Sequence, residues 1–201
     1  RLAVIDPCGS DQLMSSADGE LTVVFNGEIY NFRRLREQLR ADGAELRTRG
    51  DTEVLLHLYR RHGLDMLTHL RGMFAFALYD EPGGRLILAR DAFGQKPLWY
   101  AETSDGLYFA SEPQPLRAAC EVDRKIDKEA IIHYLSFGYI CSPLSATRGL
   151  RRLPAGHVMD ASDGAAEPRP WYRPPEPSDD AVATKADPRE VRQRVTDAVC
   201  A

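Results

Sequence analysis

The sequence has no long uncharged apolar run, no excess of basic residues and no closely spaced cysteines. No stretch is long enough to span a bilayer, so we expect no membrane anchor. Lys and Arg total 26 against 30 Asp and Glu, which gives a net charge of −4 without a basic stripe. Proteins that bind nucleic acid usually carry such a stripe, so we expect no nucleic-acid partner.

The four cysteines and five histidines are scattered along the chain. No CxxC motif pairs the cysteines, so their spacing predicts neither a disulfide framework nor a zinc site, and we expect no bound metal. We see no secretory signal, and a reducing cytoplasm is the expected location. The cysteines are Cys8, Cys120, Cys141 and Cys200.

Both ends of the chain suggest a fragment. Arg1 stands directly before an apolar run, and the last residues have Val191, Val195 and Val199 at helical spacing. We therefore expect a piece of a longer protein. Its 201 residues suffice for one domain with a full core and part of a second domain.

Residues 1–118 alternate short apolar runs with two amphipathic helical patterns. Turn residues such as Pro82-Gly83-Gly84 separate the later runs, which is typical of antiparallel hairpins. Two helices beside many strands indicate a layered α+β domain. We predict helices at 31–41, with its basic residues outward, and from 51 to about 63, and strands at 21–25, 73–80, 85–90, 98–101 and 106–111.

A second unit is predicted after residue 118. Residues 128–137 have a helical pattern, and a turn-rich stretch follows as far as Gly156. Residues 160–190 are rich in proline, acids and alanine, which favours a solvated connector. We therefore divide the chain into residues 1–118 and 119–201.

The stretch from Asn26 to Asn31, NGEIYN, is predicted to lie where a buried strand leads into a helix. An asparagine side chain and a glycine N–H at such a corner can converge on a developing oxyanion, and glycine allows a substrate close to the backbone. Taken alone, the same residues also fit a plain strand-to-helix turn with a capping residue. Asp51, at the start of the second helix, likewise fits a simple cap.

The motif from Arg90 to Pro97, RDAFGQKP, also contains charged residues. Alternation and turn residues already predict a sharp hairpin here, in which Arg90, Asp91 and Lys96 can pair. We assign this motif to structure rather than to chemistry.

Several strings stand in a fixed order: RLAVID, NGEIYN, GDTEVLLHLY, RGMFAFALYD, LILARDAFGQKPLWY and GLYFASEPQPL. Together they closely resemble the glutaminase domain of glutamine-hydrolysing asparagine synthetases, an amidotransferase domain of the N-terminal-nucleophile type. IDKEAIIHYLSFGYICSP and RGLRRLPAGHVM resemble the opening of the synthetase domain. The resemblance implies a four-layer αββα glutaminase fold, incomplete at its N-terminus, followed by the first elements of an α/β ATP-pyrophosphatase domain.

The resemblance also implies a pocket for free L-glutamine. Arg1 would bind the α-carboxylate, a task suited to a planar and permanently charged fork. Asp51 would receive the α-ammonium, while Asn26 and Gly27 would form the oxyanion hole. The implied glutamine-binding residues are Arg1, Val4, Ile5, Asn26, Gly27, Glu28 and Asp51.

The family's nucleophile is a cysteine at the mature N-terminus, with its own α-amine as the base. Cys8 stands where the family has an ordinary loop and carries no terminal amine, so we interpret it as a loop cysteine. The glycine- and serine-rich pyrophosphate loop of the synthetase domain has no counterpart in this sequence either. ATP and Mg²⁺ are therefore expected to bind the full-length enzyme outside this chain.

As implied by the resemblance, the full-length protein would make asparagine, AMP, pyrophosphate and glutamate from aspartate, ATP and glutamine, with ammonia moving between domains. The chain's partners would be the remaining synthetase domain and, in a homodimer, a second copy. Two other interpretations stay open. One is a related amidotransferase that modifies another carboxylate in polysaccharide, antibiotic or peptide biosynthesis. The other is a non-catalytic glutamine-binding module that has lost its nucleophile.

We expect the 201-residue chain by itself to release no ammonia from glutamine, because its sequence holds no residue that replaces the nucleophile and its amine base. Ammonia release would be measured against a control without protein. Release above that control that disappears in an Asn26→Ala variant would contradict this expectation.

Overall fold

A computed structural model describes residues 13–162, 167–176 and 187–199. In these residues, no helix combines the length and the apolar character needed to cross a bilayer. The strands are β1 (Leu13–Ser15), β2 (Leu21–Ile29), β3 (Gly72–Asp80), β4 (Arg85–Arg90), β5 (Trp99–Thr103), β6 (Gly106–Ala110), β7 (Arg151–Arg152), β8 (His157–Asp160) and β9 (Arg169–Pro170). The helices are α1 (Phe32–Ala41), α2 (Thr52–His62), α3 (Pro113–Ala119), α4 (Lys128–Phe137) and α5 (Pro188–Val199), with a 3₁₀ helix at Gly63–His69.

The strands form two antiparallel sheets. The larger sheet has the order β1-β2-β3-β4-β8-β9, and the smaller has the order β6-β5-β7. The β2–β3 pairing is the longest and runs from the pair Leu21 and Asp80 to the pair Ile29 and Gly72. It places the whole of β2 against a neighbouring strand.

The side chains of β3 alternate between two cores, as the period of a strand requires. Phe74, Phe76 and Leu78 pack in the cluster that includes the apolar faces of α1 and α2. Ala75 and Ala77 point to the opposite face and pack against the smaller sheet. The larger sheet is therefore covered by helices on one face and by a second sheet on the other.

The smaller sheet is also covered on both faces. Tyr100 of β5 packs in the cluster between the sheets, whereas the next residue, Ala101, packs with Leu116 of α3 on the far side. The layers are α1 and α2, the larger sheet, the smaller sheet and α3. This order confirms the predicted four-layer αββα fold.

Most predicted helices and strands are confirmed with small shifts of their ends. Helix α2 begins where the acids from Asp51 onward predict a helix start, and β3 and β4 form the predicted hairpin. Two expectations are wrong. Strand β2 continues to Ile29 rather than ending at residue 25, because its later residues pair with β3. Arg36 of α1, expected to point outward, is buried.

Residues after 118 complete both sheets. β7 pairs with β5 in the smaller sheet, and β8 pairs with β4 in the larger one. Trp171, in the stretch expected to be a solvated connector, stacks on Phe74 and donates its Nε1–H to Arg90 O at 3.0 Å. The sheets therefore extend beyond the residue at which the sequence analysis divides the chain, and part of the expected connector is anchored in the fold.

The turn after β4 is organised by the adjacent charged residues Arg90 and Asp91. The Asp91 carboxylate is fully buried and accepts four backbone N–H groups, those of Phe74, Phe93, Gln95 and Lys96. The Arg90 guanidinium donates to three carbonyl oxygens, those of Gly94, Lys96 and Leu153. The two side chains thus bind the turn to β3 and to the segment before β8.

Replacing Asp91 with alanine is expected to lower the free energy of unfolding by roughly 3–5 kcal/mol, because four backbone N–H groups lose their buried acceptor. The measurement is urea unfolding followed by circular dichroism. The control is Asp65→Ala, which removes an exposed acid and should leave the midpoint almost unchanged. A loss for Asp91→Ala no greater than that of a surface substitution, about 0.5 kcal/mol, would contradict this role.

Candidate functional site

The candidate residues Asn26, Gly27 and Glu28 lie inside β2, where they pair with consecutive residues of β3. This corrects the expectation that they form the corner between a strand and a helix, since α1 begins only at Phe32. Because side chains alternate along a strand, Asn26 and Glu28 lie on one face of the sheet and position 27 lies on the other.

The N–H of Gly27 points to the edge of β2 that faces away from β3. Its cross-strand neighbour Phe74 uses both its N–H and its C=O on the β4 side, where both bond to Asp91. Gly27 and Phe74 are therefore a non-hydrogen-bonded pair of the antiparallel ladder, whose backbone groups point outward. Within residues 13–162, the pairing of β1 with β2 reaches only as far as Val24.

Asp51 lies at the same edge of β2. Ile29, two residues after Gly27, directs its N–H to the same side of the strand, and Asp51 Oδ2 accepts it at 3.0 Å. Two residues of a strand span about 7 Å. The Gly27 N–H therefore lies about 7 Å along the strand from the Ile29 N–H that the Asp51 carboxylate accepts.

The close approach of β3 requires glycine at position 27. A Cβ there would lie 2.2 Å from the carbonyl oxygen of Met73 and 2.7 Å from Cα of Phe74, far inside van der Waals contact. The same holds for Gly72 on β3, where a Cβ would lie 2.2 Å from the carbonyl oxygen of Glu28. Glycine at position 27 thus serves the packing of the two strands as well as any ligand.

The side chain of Asn26 faces the smaller sheet. Its Nδ2 lies 3.4 Å from Oγ of Ser111, which follows β6. This distance is longer than that of a typical protein hydrogen bond, so a ligand oxygen could replace the serine as the acceptor. Glu28, two residues along the same face, is half-buried.

Asp51 is buried, and its carboxylate makes no cap hydrogen bond to α2. Its acceptor role toward Ile29 replaces the simple helix cap that the sequence also allows. Burial raises the pKa of Asp51 above its usual value, and the charge of Glu28 adds to the increase, whereas the backbone N–H groups of Ile29, of Asp51 itself and of Thr52 oppose it. A cation beside this carboxylate would favour its charged form.

Two buried charged side chains, Arg36 of α1 and Glu53 of α2, hold the segment that leads into Asp51. Nη1 of Arg36 lies 3.7 Å from Oε2 of Glu53. Arg36 donates to the carbonyl oxygens of Thr48 and Gly50, and Glu53 accepts the N–H groups of Arg47 at 2.7 Å and Thr48 at 2.8 Å. These bonds fix the backbone directly before Asp51 and so set the position of its carboxylate.

The pKa of Glu53 moves in the opposite direction from that of Asp51. Burial alone would raise the pKa of Glu53, but the N–H groups of Arg47 and Thr48 and the Thr48 hydroxyl together lower it. Asp51 is thus a buried acid whose charge is costly, whereas Glu53 is a buried acid whose charge is well solvated by donors.

The sequence analysis missed three polar residues that support the site. Arg36 and Glu53 form the clamp before Asp51, and no spacing distinguishes Arg36 from the exposed arginines of the same helix. Asn31 is also buried; its Nδ2 donates to His69 O at 2.9 Å and its Oδ1 accepts Arg71 N–H at 3.0 Å. Its only sequence signal is its place at the end of the NGEIYN string.

Four residues singled out from the sequence, Arg1, Val4, Ile5 and Cys8, lie outside the described residues, so their roles stay predictions. Of the described candidates, Gly27 and Asp51 share one edge of β2, while Asn26 and Glu28 lie on the face toward the smaller sheet. Within the described ranges, no group of three or more His, Cys, Asp or Glu is arranged to hold a metal ion.

Residues 1–172 match a protein family described as a glutamine amidotransferase domain. Glutamine-hydrolyzing asparagine synthetase 1 of Bacillus subtilis is 36% identical over 204 residues, which cover 99% of this chain and 31% of that protein. Glutamine-hydrolyzing asparagine synthetase 2 of Arabidopsis thaliana is 36% identical, covering 99% of this chain and 29% of that protein. A putative glutamine-hydrolyzing asparagine synthetase of Mycobacterium bovis is 42% identical over 164 residues, covering 78% and 25%. The chain thus spans between a quarter and a third of these relatives.

Solved structures with a similar fold include the glutamine phosphoribosylpyrophosphate amidotransferase of B. subtilis complexed with ADP and GMP. The TM-score is 0.56 at 23% identity, over 82% of this chain and 32% of that one. A second, described as the allosteric regulatory enzyme of purine biosynthesis, gives a TM-score of 0.54 at 24% identity, over 80% and 30%. At these identities the likeness shows the fold alone.

The opposite shifts of the two acids predict opposite effects of isosteric neutralisation. Glu53→Gln should lower the free energy of unfolding at pH 7 by roughly 2–4 kcal/mol, because the N–H groups of Arg47 and Thr48 bond to different carboxylate oxygens and the amide nitrogen that replaces one of them cannot accept. Asp51→Asn should cost little at pH 7, because the amide oxygen can still accept Ile29 N–H and a buried charge is removed. Urea unfolding at several pH values measures both effects.

The pH dependence gives the sharper test. The stabilisation by Glu53 is present above the unfolded pKa of about 4.3 and is lost as the pH falls through the lowered folded value, so the Glu53→Gln deficit should shrink below about pH 4. For Asp51, the wild type should gain on Asp51→Asn as the pH falls through the raised folded value toward about 3.9. Parallel pH curves for the two variants would contradict the opposite shifts.

Proposed function

Because the chain belongs to the glutamine amidotransferase domain family, we propose that it forms the glutamine-hydrolysing part of an asparagine synthetase. The observation that carries this proposal is the single edge of β2 that presents the Gly27 N–H and the buried Asp51 carboxylate. An anion and an N–H donor about 7 Å apart match the ammonium and the side-chain amide oxygen of one glutamine molecule.

The charged and polar groups of glutamine would each bind residues from a different segment of the chain. The α-ammonium would bind Asp51, whose burial makes a cationic partner favourable. The amide oxygen would accept from Gly27 N–H and from Asn26 Nδ2, which would exchange its long bond to Ser111 for this one. Arg1 would bind the α-carboxylate as a bidentate fork, with Val4, Ile5 and Glu28 beside it as the remaining wall.

In the full-length protein the nucleophile would be an N-terminal cysteine upstream of Arg1. Its sulfur would attack the side-chain amide carbon of glutamine while the α-amine takes the thiol proton. The oxyanion that forms would be stabilised by Asn26 and Gly27, and removing one such donor typically costs about 10² to 10³ in rate. Collapse with proton transfer to the leaving nitrogen would release ammonia and leave a thioester, which water would hydrolyse to glutamate and the free thiol.

The rest of the reaction would take place in the part of the protein that this chain does not include. The relatives are more than three times as long as the matched region, which leaves room for a domain that binds ATP, Mg²⁺ and aspartate. That domain would use the released ammonia to make asparagine. We place the enzyme in the reducing cytoplasm, with a homodimer as its assembly.

The test of this proposal separates the two nitrogen sources in the full-length protein. Asp51→Asn is expected to lower kcat/KM for glutamine by about 10- to 100-fold, the loss of one charge-assisted bond, because Asp51 would contact only glutamine. Ammonia-dependent asparagine synthesis should be almost unchanged. Arg1→Ala should act in the same way, and the exposed-acid control Asp65→Asn should affect neither activity.

An equal loss of both activities in Asp51→Asn would argue that Asp51 holds the fold instead of glutamine. Failure to make asparagine from either nitrogen source in the wild-type protein, with ammonia still released from glutamine, would leave the glutaminase assignment intact but exclude aspartate as the acceptor.

A further inference from the structure

We propose that helix α4 and its flanking aromatic residues form a docking surface for the part of the same polypeptide that follows this chain. This surface, called the α4 surface below, consists of six large apolar residues that are each more than half exposed. They are Ile126, Ile132, Tyr134, Leu135, Phe137 and Tyr139.

The apolar face of helix α4 is wider than that of an ordinary surface helix. Its sequence, KEAIIHYLSF, has apolar residues around more than half of the helix circumference, and Ala130 is its only buried residue. A surface helix normally shows one apolar stripe about 100° wide or somewhat wider, and a helix that is apolar all round is normally buried. Leu135, in the last turns, is 79% exposed.

Helices α1 and α2, which are as long as α4 or longer, behave differently. α1 buries Leu35 and Leu39, and α2 buries Val54, Leu55 and Leu58 among others, so each covers its apolar face within the described fold. The difference does not come from a poor helix: α4 begins at a capping Asp127 that accepts two N–H groups and ends at a left-handed Gly138. α4 is therefore a well-formed helix without cover for its apolar side in the described structure.

The α4 surface is large enough to be an interface between domains. Six large side chains with about 60% of their area exposed present on the order of 600–700 Å². A standard protein interface buries about 800 Å² on each partner, and interfaces between domains of one chain are often smaller. The largest apolar patch on an ordinary monomer falls in the same range and often marks a contact site.

The same polypeptide is the occupant that the chain itself indicates. Helix α5, near the end of the described residues, has no buried residue, and its Val191, Val195 and Val199 form a second exposed apolar stripe. The curated relatives are more than three times as long as the part that this chain matches. This inference rests on the proposal that the present protein has the same extent.

A tethered domain has an advantage over a second copy of the chain. A covalent connection gives the tethered partner an effective concentration in the millimolar range, far above the concentration of a free second copy. The surface would thus be covered within one molecule before a second molecule could reach it. Dimerisation through α4 is the competing outcome that the experiment must separate.

The experiment is hydrogen exchange of the full-length protein at two concentrations, one at which size-exclusion chromatography with light scattering finds only monomer. A ten-residue helix without packing is marginal in water, so its amides would be protected only a few-fold. Docking predicts that the α4 amides exchange at least about 100-fold more slowly than unprotected amides at both concentrations. Weak protection at both concentrations, or protection that follows the fraction of dimer, would overturn the proposal.

Two leucine variants supply the matched test. Leu135→Asp places a charge in the proposed interface and should speed α4 exchange by about tenfold or more while the amides of β3 keep their rates. Leu13→Asp makes the same change at a residue that is 64% exposed on β1, and should leave α4 exchange unchanged. Equal exchange of α4 in the wild type and in Leu135→Asp would contradict the assignment.

Glutamine hydrolysis, measured on the same samples, separates this inference from the proposed function. Protected α4 amides in a protein that hydrolyses no glutamine would leave the docking surface standing and remove the proposed activity. Unprotected α4 amides in a protein that hydrolyses glutamine would do the reverse.

Discussion

The Asp91 carboxylate accepts the N–H of Phe74, and the candidate site depends on this bond because it determines which residues of β2 can bond to β3. Because Phe74 uses both of its backbone groups toward Asp91, it cannot share them with Gly27 across the β2–β3 ladder. The N–H of Gly27 must then point to the opposite edge, as must that of Ile29. The pairing of Phe74 with the buried Asp91 on the far side of β3 thus leaves the N–H groups of Gly27 and Ile29 on the outer edge of β2.

Two other buried acids show why similar residues serve different purposes. Glu53 accepts several hydrogen bonds from the segment between α1 and α2, so its negative charge stabilises the fold. Asp51 receives the N–H of Ile29 in a buried position beside another acid, so its charge is poorly compensated. A group that is poorly compensated in the free protein gains most from a cationic ligand. The hydrogen bonds of Glu53 therefore hold the backbone before Asp51 in a conformation in which burial keeps the pKa of Asp51 raised.

Local signals predicted those elements of the fold that depend on local chemistry. The hairpin between β3 and β4 follows from its turn residues, and the start of α2 follows from its first-turn acids. The end of β2 did not follow, because Asn26, Gly27 and Glu28 have weak strand preference and become a strand only through pairing with β3. The burial of Arg36 and the return of β7 and β8 to the sheets were missed for the same reason, since both depend on long-range contacts. The candidate site itself came from the resemblance of the NGEIYN and GDTEVLLHLY strings, not from spacing.

The charges at the site explain why its parts are contributed by separate segments. Asp51 lies at this edge of β2, and the nearby negative charge of Glu28 makes the charged form of Asp51 more costly. A cationic side chain packed permanently against Asp51 would relieve this cost, but it would also occupy the place of the substrate ammonium. If a distant residue such as Arg1 instead meets the substrate at its carboxylate, the acid remains available and the two charges of the amino acid are bound in a fixed order along the strand. In the proposed pocket, the ammonium of glutamine would supply the positive charge that the described residues do not place beside Asp51.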